Sequence, residues 1–163
     1  MKITSKVTSD QKQIVSLMRR LQSLESHEIQ YGYFQGDIHQ SSGLDIAELA
    51  EMLNFGTDNI LPRPFMAAAN DSAERYSQTS NEWKRHIWSY LCGNGNISQV
   101  LGKIGLAYNR FIPQAILFGD WPRNSDEWAA WKFEKYGSSQ PLIETSELMD
   151  SSKIKVVKTG DKK

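Results

Sequence analysis

Two prolines one residue apart, Pro62 and Pro64, divide this 163-residue chain more sharply than any other feature. A proline pushes the residue before it out of the helical region, so Leu61 and Arg63 are expected to be extended. Pro64 suits a first helical position, where its missing N–H is harmless. Behind it, Phe65, Ala69, Ala73, Tyr76, Trp83, Ile87 and Tyr90 keep helical spacing. They predict one helix over 65–91, about 40 Å long at 1.5 Å per residue. Gly93-Asn94-Gly95 should end it, and the 96–99 segment can cap a second helix striped by Val100, Leu101, Ile104, Tyr108 and Phe111. A short glycine turn between two helices makes an antiparallel hairpin. Pro113 is expected to kink or end the second helix, since an interior proline costs about 3 kcal/mol.

The flanks read as shorter pieces. Residues 2–7 suggest an edge strand. Thr8 with Gln11 fits a capping box opening a helix over 9–25, striped by Ile14, Leu17, Leu21 and Leu24. Ile29, Tyr31 and Tyr33 alternate with small or polar residues, predicting a strand over 29–34 closed by Gly36. A loop over 37–44 leads to a short helix with Ile46, Leu49 and Leu53, stopped by Gly56. A loop over 120–124, a helix from 124 carrying Trp128 and Trp131, a loop over 136–141 and a last strand over 152–158 complete the pattern. That last strand is expected beside the 29–34 strand. The fold class is α+β: a small antiparallel sheet packed with a long helical hairpin and shorter helices. One domain over 1–158 is expected, with a flexible tail over 159–163.

Composition narrows the function. Lys plus Arg number 19 and Asp plus Glu number 19, a balance that excludes a strongly basic nucleic-acid binder. A lone cysteine, Cys92, allows neither an intrachain disulfide nor a cysteine zinc cage, which suits a reducing cytosol. The longest apolar runs fall well short of the roughly 20 residues of a membrane span, and the N-terminus lacks the apolar block of a secretory signal.

Catalytic groups do not assemble in the sequence. His27, His39 and His86 are scattered, with no second ligand at helix-face spacing, so no metal is expected. Cys92 has no adjacent base and reads as an inert thiol. Gly93-Asn94-Gly95 lacks the lysine and hydroxyl of a phosphate loop. The carboxylate pairs Asp126/Glu127 and Glu144/Glu147 would need an apolar pocket for acid–base work. Trp83 with Lys84 and Arg85, and Trp128 with Trp131, could stack bases, although aromatic residues at helical spacing serve more often as core or interface. No enzyme activity and no cofactor are expected.

Charge is unevenly placed. Lys2, Lys6, Lys12, Arg19 and Arg20 face the single acid Asp10, and the 151–163 segment is again lysine-rich. Between them, Asp37, Asp45, Glu48, Glu51 and Asp58 meet no Lys or Arg. Such blocks either solvate a surface or form a self-complementary pattern where identical subunits meet head to tail.

Two loop signatures carry a resemblance. Asn54-Phe55-Gly56-Thr57 followed by Ile60-Leu61-Pro62-Arg63-Pro64-Phe65-Met66 resembles the "FG(T)…IP-x-RPF" element of tailed-bacteriophage neck and tail-completion proteins, the minor tail protein Z-like group. Lys135-Tyr136-Gly137-Ser138-Ser139-Gln140-Pro141-Leu142-Ile143-Glu144-Thr145-Ser146-Glu147-Leu148 is similar to that group's "K..GS..PLIDTG.L" signature. Gly105-Leu106-Ala107 and the 31–36 strand segment also match, so the resemblance spans about 29–148. Ser146 stands where the family has glycine, Pro113 interrupts a helix usually free of proline, and the Trp121 region departs from a Pro-Leu linker.

The resemblance implies a structural virion protein made in the host cytoplasm. It would form a homo-oligomeric, hexameric ring joining the head connector to the tail tube. Its neighbours would be head-connector or stopper proteins and tail-terminator or tail-tube proteins. Genomic DNA would pass without specific binding, and no membrane would be involved. Assembly residues carried over are Phe55, Gly56, Pro62, Arg63, Pro64, Phe65, Gly137, Pro141, Leu142, Ile143, Glu144, Thr145 and Leu148. The long helix would be the rigid element, and the acidic 37–58 stretch would face a basic neighbour or the DNA channel. A tail-terminator or minor tail role stays open as the near alternative, and a nucleic-acid-binding module as a distant one.

Overall fold

Asp10 starts the first helix. Its carboxylate accepts the Lys12 N–H at 3.0 Å, and α1 runs Gln11–Glu25. The computed structural model describes residues 10–144 and 146–160. The expected 2–7 strand, the Thr8 capping box and Thr145 lie outside the described residues, as do residues 161–163.

Strand β1 (His27–Gly32) pairs antiparallel with β2 (Lys153–Lys158), from His27 opposite Lys158 to Gly32 opposite Lys153. The α+β class therefore holds, with the two strands brought together from opposite ends of the chain. β1 stops two residues before the expected end. Tyr33 instead turns inward, where its hydroxyl donates to the Leu148 carbonyl at 2.7 Å and its ring meets Phe65 edge-on. Burial raises the Tyr33 pKa well above the usual phenol value. At the start of the tail expected over 159–163, the Thr159 N–H bonds the Ser26 carbonyl at 2.9 Å, just beyond the last strand pair.

Helix α2 (Ile46–Phe55) stops at Gly56 as expected, and Asp45 caps its start. The single helix expected over 65–91 is two helices, α3 (Phe65–Thr79) and α4 (Glu82–Leu91). Ser80 is extended between them, at φ −92° and ψ 138°. The cause is local: Ser and Thr hydroxyls compete with backbone partners. Thr79 Oγ1 donates to the Arg75 carbonyl, and Ser80 Oγ caps the Glu82 N–H at 3.1 Å. The Tyr76 hydroxyl donates to Glu82, and Trp83 Nε1 reaches the Ser77 carbonyl at 2.9 Å, so the bend is bonded on both sides.

Asn96 caps α5 (Ile97–Asn109), which follows α4 through the expected glycine turn. The next break falls at Arg110, before Pro113. Helix α6 (Phe111–Phe118) holds Pro113 in its first turn, where no backbone bond is lost. Arg110 fills the corner, its guanidinium 4.6 Å from the Tyr76 ring. Helices α7 (Asp126–Tyr136) and α8 (Glu147–Asp150) complete the order; α8 is too short for periodicity to reveal.

Two cores result. The larger is built on Phe65, Ile112 and Ile116, all fully buried, with Ala69 letting α3 and α6 approach, and with Ile46, Ala50, Leu142 and Leu148. The smaller joins Tyr90, Val100, Leu101 and Ile104 to Ile29 and Val156. Gly105 seats α5 on the sheet: a Cβ there would lie 2.9 Å from the Ile29 Cγ2 and 3.3 Å from the Ile154 Cδ1.

Candidate functional site

The two signature segments meet. Gly56 leaves α2 at φ 78°, and a Cβ there would lie 2.7 Å from the Ile60 carbonyl oxygen and 2.9 Å from the Pro62 nitrogen. Glycine is required on both counts. Thr57 and Ile60 exchange backbone bonds at 2.9 and 3.2 Å, folding the loop back on itself. The Arg63 N–H then bonds the Leu53 carbonyl at 3.0 Å. Pro64 occupies the cap position, and Phe65 is the first helical residue, a correction of one place. A proline side chain cannot cap a helix. Buried Asn54 does so instead, its Oδ1 accepting the Met66 N–H at 3.0 Å.

Arg63 is 6% exposed. Its Nε donates to the Pro122 carbonyl at 3.0 Å, and a terminal nitrogen donates to Asn124 Oδ1 at 3.1 Å. Asn124 passes the link on, its Nδ2 donating to the Ser139 carbonyl at 3.0 Å. One guanidinium and one amide thus join the 60–64 connector to the 137–146 connector. Burial pushes the Arg63 pKa down, although a guanidinium starts high enough to stay charged.

In the second connector, Gly137 closes α7 at φ 73°, its N–H bonding the Phe133 carbonyl. Lys132 is buried at 3% exposure, and its Nζ donates to the Gln140 carbonyl at 2.6 Å. Burial lowers the Lys132 pKa, nearby Glu144 opposes the shift, and Arg63 adds to it. The Tyr136 hydroxyl donates to Glu144 at 2.8 Å. Pro141 precedes Leu142, a core side chain held at φ 64°, where a bulky residue is strained. Ile143 packs beside it, and Leu148 is buried in the same core. Ser146, at φ 58°, takes a left-handed conformation that glycine would adopt without cost.

Between the connectors lies an open cleft of about 670 Å³, with Leu53, Ile60, Leu61 and Trp128 on its apolar side and Arg63 and Lys132 among its polar lining. Phe55 does not point into this assembly; it stands 74% exposed at the end of α2.

His39, which the sequence leaves without a partner, is buried with two. Its Nε2 lies 3.2 Å from Glu147, and its Nδ1 lies 2.8 Å from the Ser42 hydroxyl. The Ser42 N–H also aims at Nδ1, at 3.3 Å, so the ring proton belongs on Nε2, facing Glu147. A general base needs a lone pair free to take the hydroxyl proton. Here that lone pair is shared with a backbone turn, and the row ties the 37–44 loop to α8.

Asn54, Asn124, Lys132 and the His39–Glu147 pair were missed from sequence. Asn54 carries a signal, a capping residue type next to a helix stop. The others depend on partners far along the chain. Trp128 and Trp131 stack on each other at 4.5 Å and stay partly exposed. Among the described residues, no group of three or more His, Cys, Asp or Glu side chains could hold a metal ion, and no helix is long and apolar enough to cross a membrane. Comparisons with protein families, with curated proteins and with solved structures return no match for this chain.

Proposed function

We propose that this chain is a structural virion protein of a tailed phage, forming a ring at the head–tail junction that joins the connector to the tail tube. The observation that carries the reading is the closure of the two signature segments on each other through Arg63, Asn124 and Ser139. Several of the residues that resemble the family's motifs therefore share one mechanical job, and exposed Phe55 stands apart from it. Phe65, Leu142 and Leu148 anchor both connectors in a single core, and Arg63 sets their spacing.

The surface supports the same reading. Ile14, Leu17, Met18 and Leu21 form an exposed apolar stripe along α1, and Phe55, Leu61, Trp88 and Phe118 are exposed elsewhere. Apolar surface on several sides suits a subunit covered by different neighbours, as a closed ring requires. The rigid element is the pair of packed helices α3 and α6 together with the α4–α5 hairpin, in place of one long helix.

Removing the chain from a phage that encodes it should leave filled heads and finished tails unjoined. Overlong tails instead would favour a tail terminator, and absent or shortened tails a minor tail role. Complete infectious particles lacking the chain would overturn the reading.

A further inference from the structure

Two exposed helix faces in different halves of the molecule are complementary in shape and charge. On α4, Lys84, Arg85 and Trp88, with Cys92 just past its end, fall on one exposed stripe, Trp88 lying three or four residues from each of the others. They line an open depression of about 660 Å³. Trp88 is 69% exposed, an unusual cost for the side chain most often found at binding hot spots. On α2, Glu48, Glu51 and Phe55 fall on another exposed stripe, again at spacings of three and four. Here the aromatic residue projects, and the loop beyond it adds Asp58, with no Lys or Arg anywhere from 37 to 58. Among the described residues, none of Lys84, Arg85, Glu48 and Glu51 is in an ion pair.

The faces belong to different cores. α2 packs into the large core through Ile46 and Ala50, whereas α4 packs into the small one through Tyr90. Complementary patches on different sides of one chain make a head-to-tail contact, which closes into a ring when the rotation permits. We propose that the α2 face of one copy docks on the α4 face of the next, with Phe55 seated in the depression beside Trp88 and with Glu48 and Glu51 against Lys84 and Arg85. This inference rests on the ring reading and names its subunit contact. It assigns the acidic stretch to a basic neighbour, leaving the DNA channel to other surfaces.

The test is self-association of the 163-residue chain, measured by sedimentation and light scattering at concentrations up to about 1 mM, the weak end of specific binding. Wild type should assemble. Lys84→Glu with Arg85→Glu, and separately Glu48→Lys with Glu51→Lys, should each weaken assembly at least about tenfold, because like charges then face each other. All four changes in one chain should restore it, and Phe55→Ala should abolish it without changing the circular dichroism spectrum. Wild-type monomers at every concentration, charge-reversed chains that assemble normally, or no rescue in the fourfold variant would overturn the contact. So would salt-dependent binding of single-stranded DNA through Lys84 and Arg85. None of these outcomes bears on whether particles need the chain, so the contact and the head–tail reading fail separately.

Discussion

Replacing Arg63 with methionine keeps most of the volume and the apolar stem but removes every donor. The guanidinium makes two well-formed bonds, at 3.0 Å to Pro122 and 3.1 Å to Asn124; the contact to the Arg123 carbonyl, at 3.5 Å, adds little. Hydrogen bonds from a charged donor contribute about 1.5–3 kcal/mol each net of exchange with water, so the pair is worth about 3–6 kcal/mol apart from the cost of burying the charge itself. Burying the guanidinium at 6% exposure costs part of that, and methionine escapes the cost. A net loss of about 2–4 kcal/mol remains. For a chain of this length the unfolding entropy implies a Tm drop of roughly 6–12 °C. Thermal and urea unfolding of Arg63→Met, Asn124→Ala and the double variant should show coupling of at least about 1 kcal/mol, because both residues serve one link. Additive effects, or a single-variant loss below about 0.5 kcal/mol, would show that the connectors hold together without Arg63.

Five further variants test the backbone and the caps. Gly56→Ala should cost about 2–4 kcal/mol by urea unfolding, since it combines a left-handed φ with backbone contacts below 3 Å. In α5, Gly102→Ala meets open space and should stabilise by about 0.5–1 kcal/mol, whereas Gly105→Ala should destabilise by about 1–3 kcal/mol through crowding of Ile29 and Ile154. Ser146→Gly should raise Tm by about 2–3 °C by relieving the positive φ; a lower Tm would mean that the Ser146–Asp150 bond outweighs that relief. Asp45 accepts the Gly36 and Ala47 N–H groups, which hold its carboxyl below the usual range. Its contribution is therefore full above the ordinary carboxylate pKa of about 4 and is lost as pH falls through the lower folded value. Urea midpoints of wild type and Asp45→Asn should differ at pH near 7 and converge toward about pH 2; parallel curves would refute the assignment.

The short-range grammar was legible. Asp45 and Asn96 are capping residue types, Gly56 and Gly137 are stops, and alternation at Ile29, Tyr31, Ile154 and Val156 marks strands; each effect acts within a few residues. The 65–91 helix failed for a reason that was present in the sequence. Apolar spacing continues across 77–81, but the hydroxyls of Ser77, Thr79 and Ser80 bond the local backbone and break the helix there.

The motif residues were legible as a list, and their partnerships were not. Pro62, Pro64 and Gly56 by themselves determine a tight turn followed by an extended connector, because their restrictions are built into the covalent chain. That Arg63 turns inward to the 122–124 backbone, that Lys132 is buried on a mostly exposed helix, and that His39 meets Glu147 were decided by tertiary structure. A buried polar group takes whichever partner the packed core places within about 3 Å, and sequence separation sets no limit on that choice.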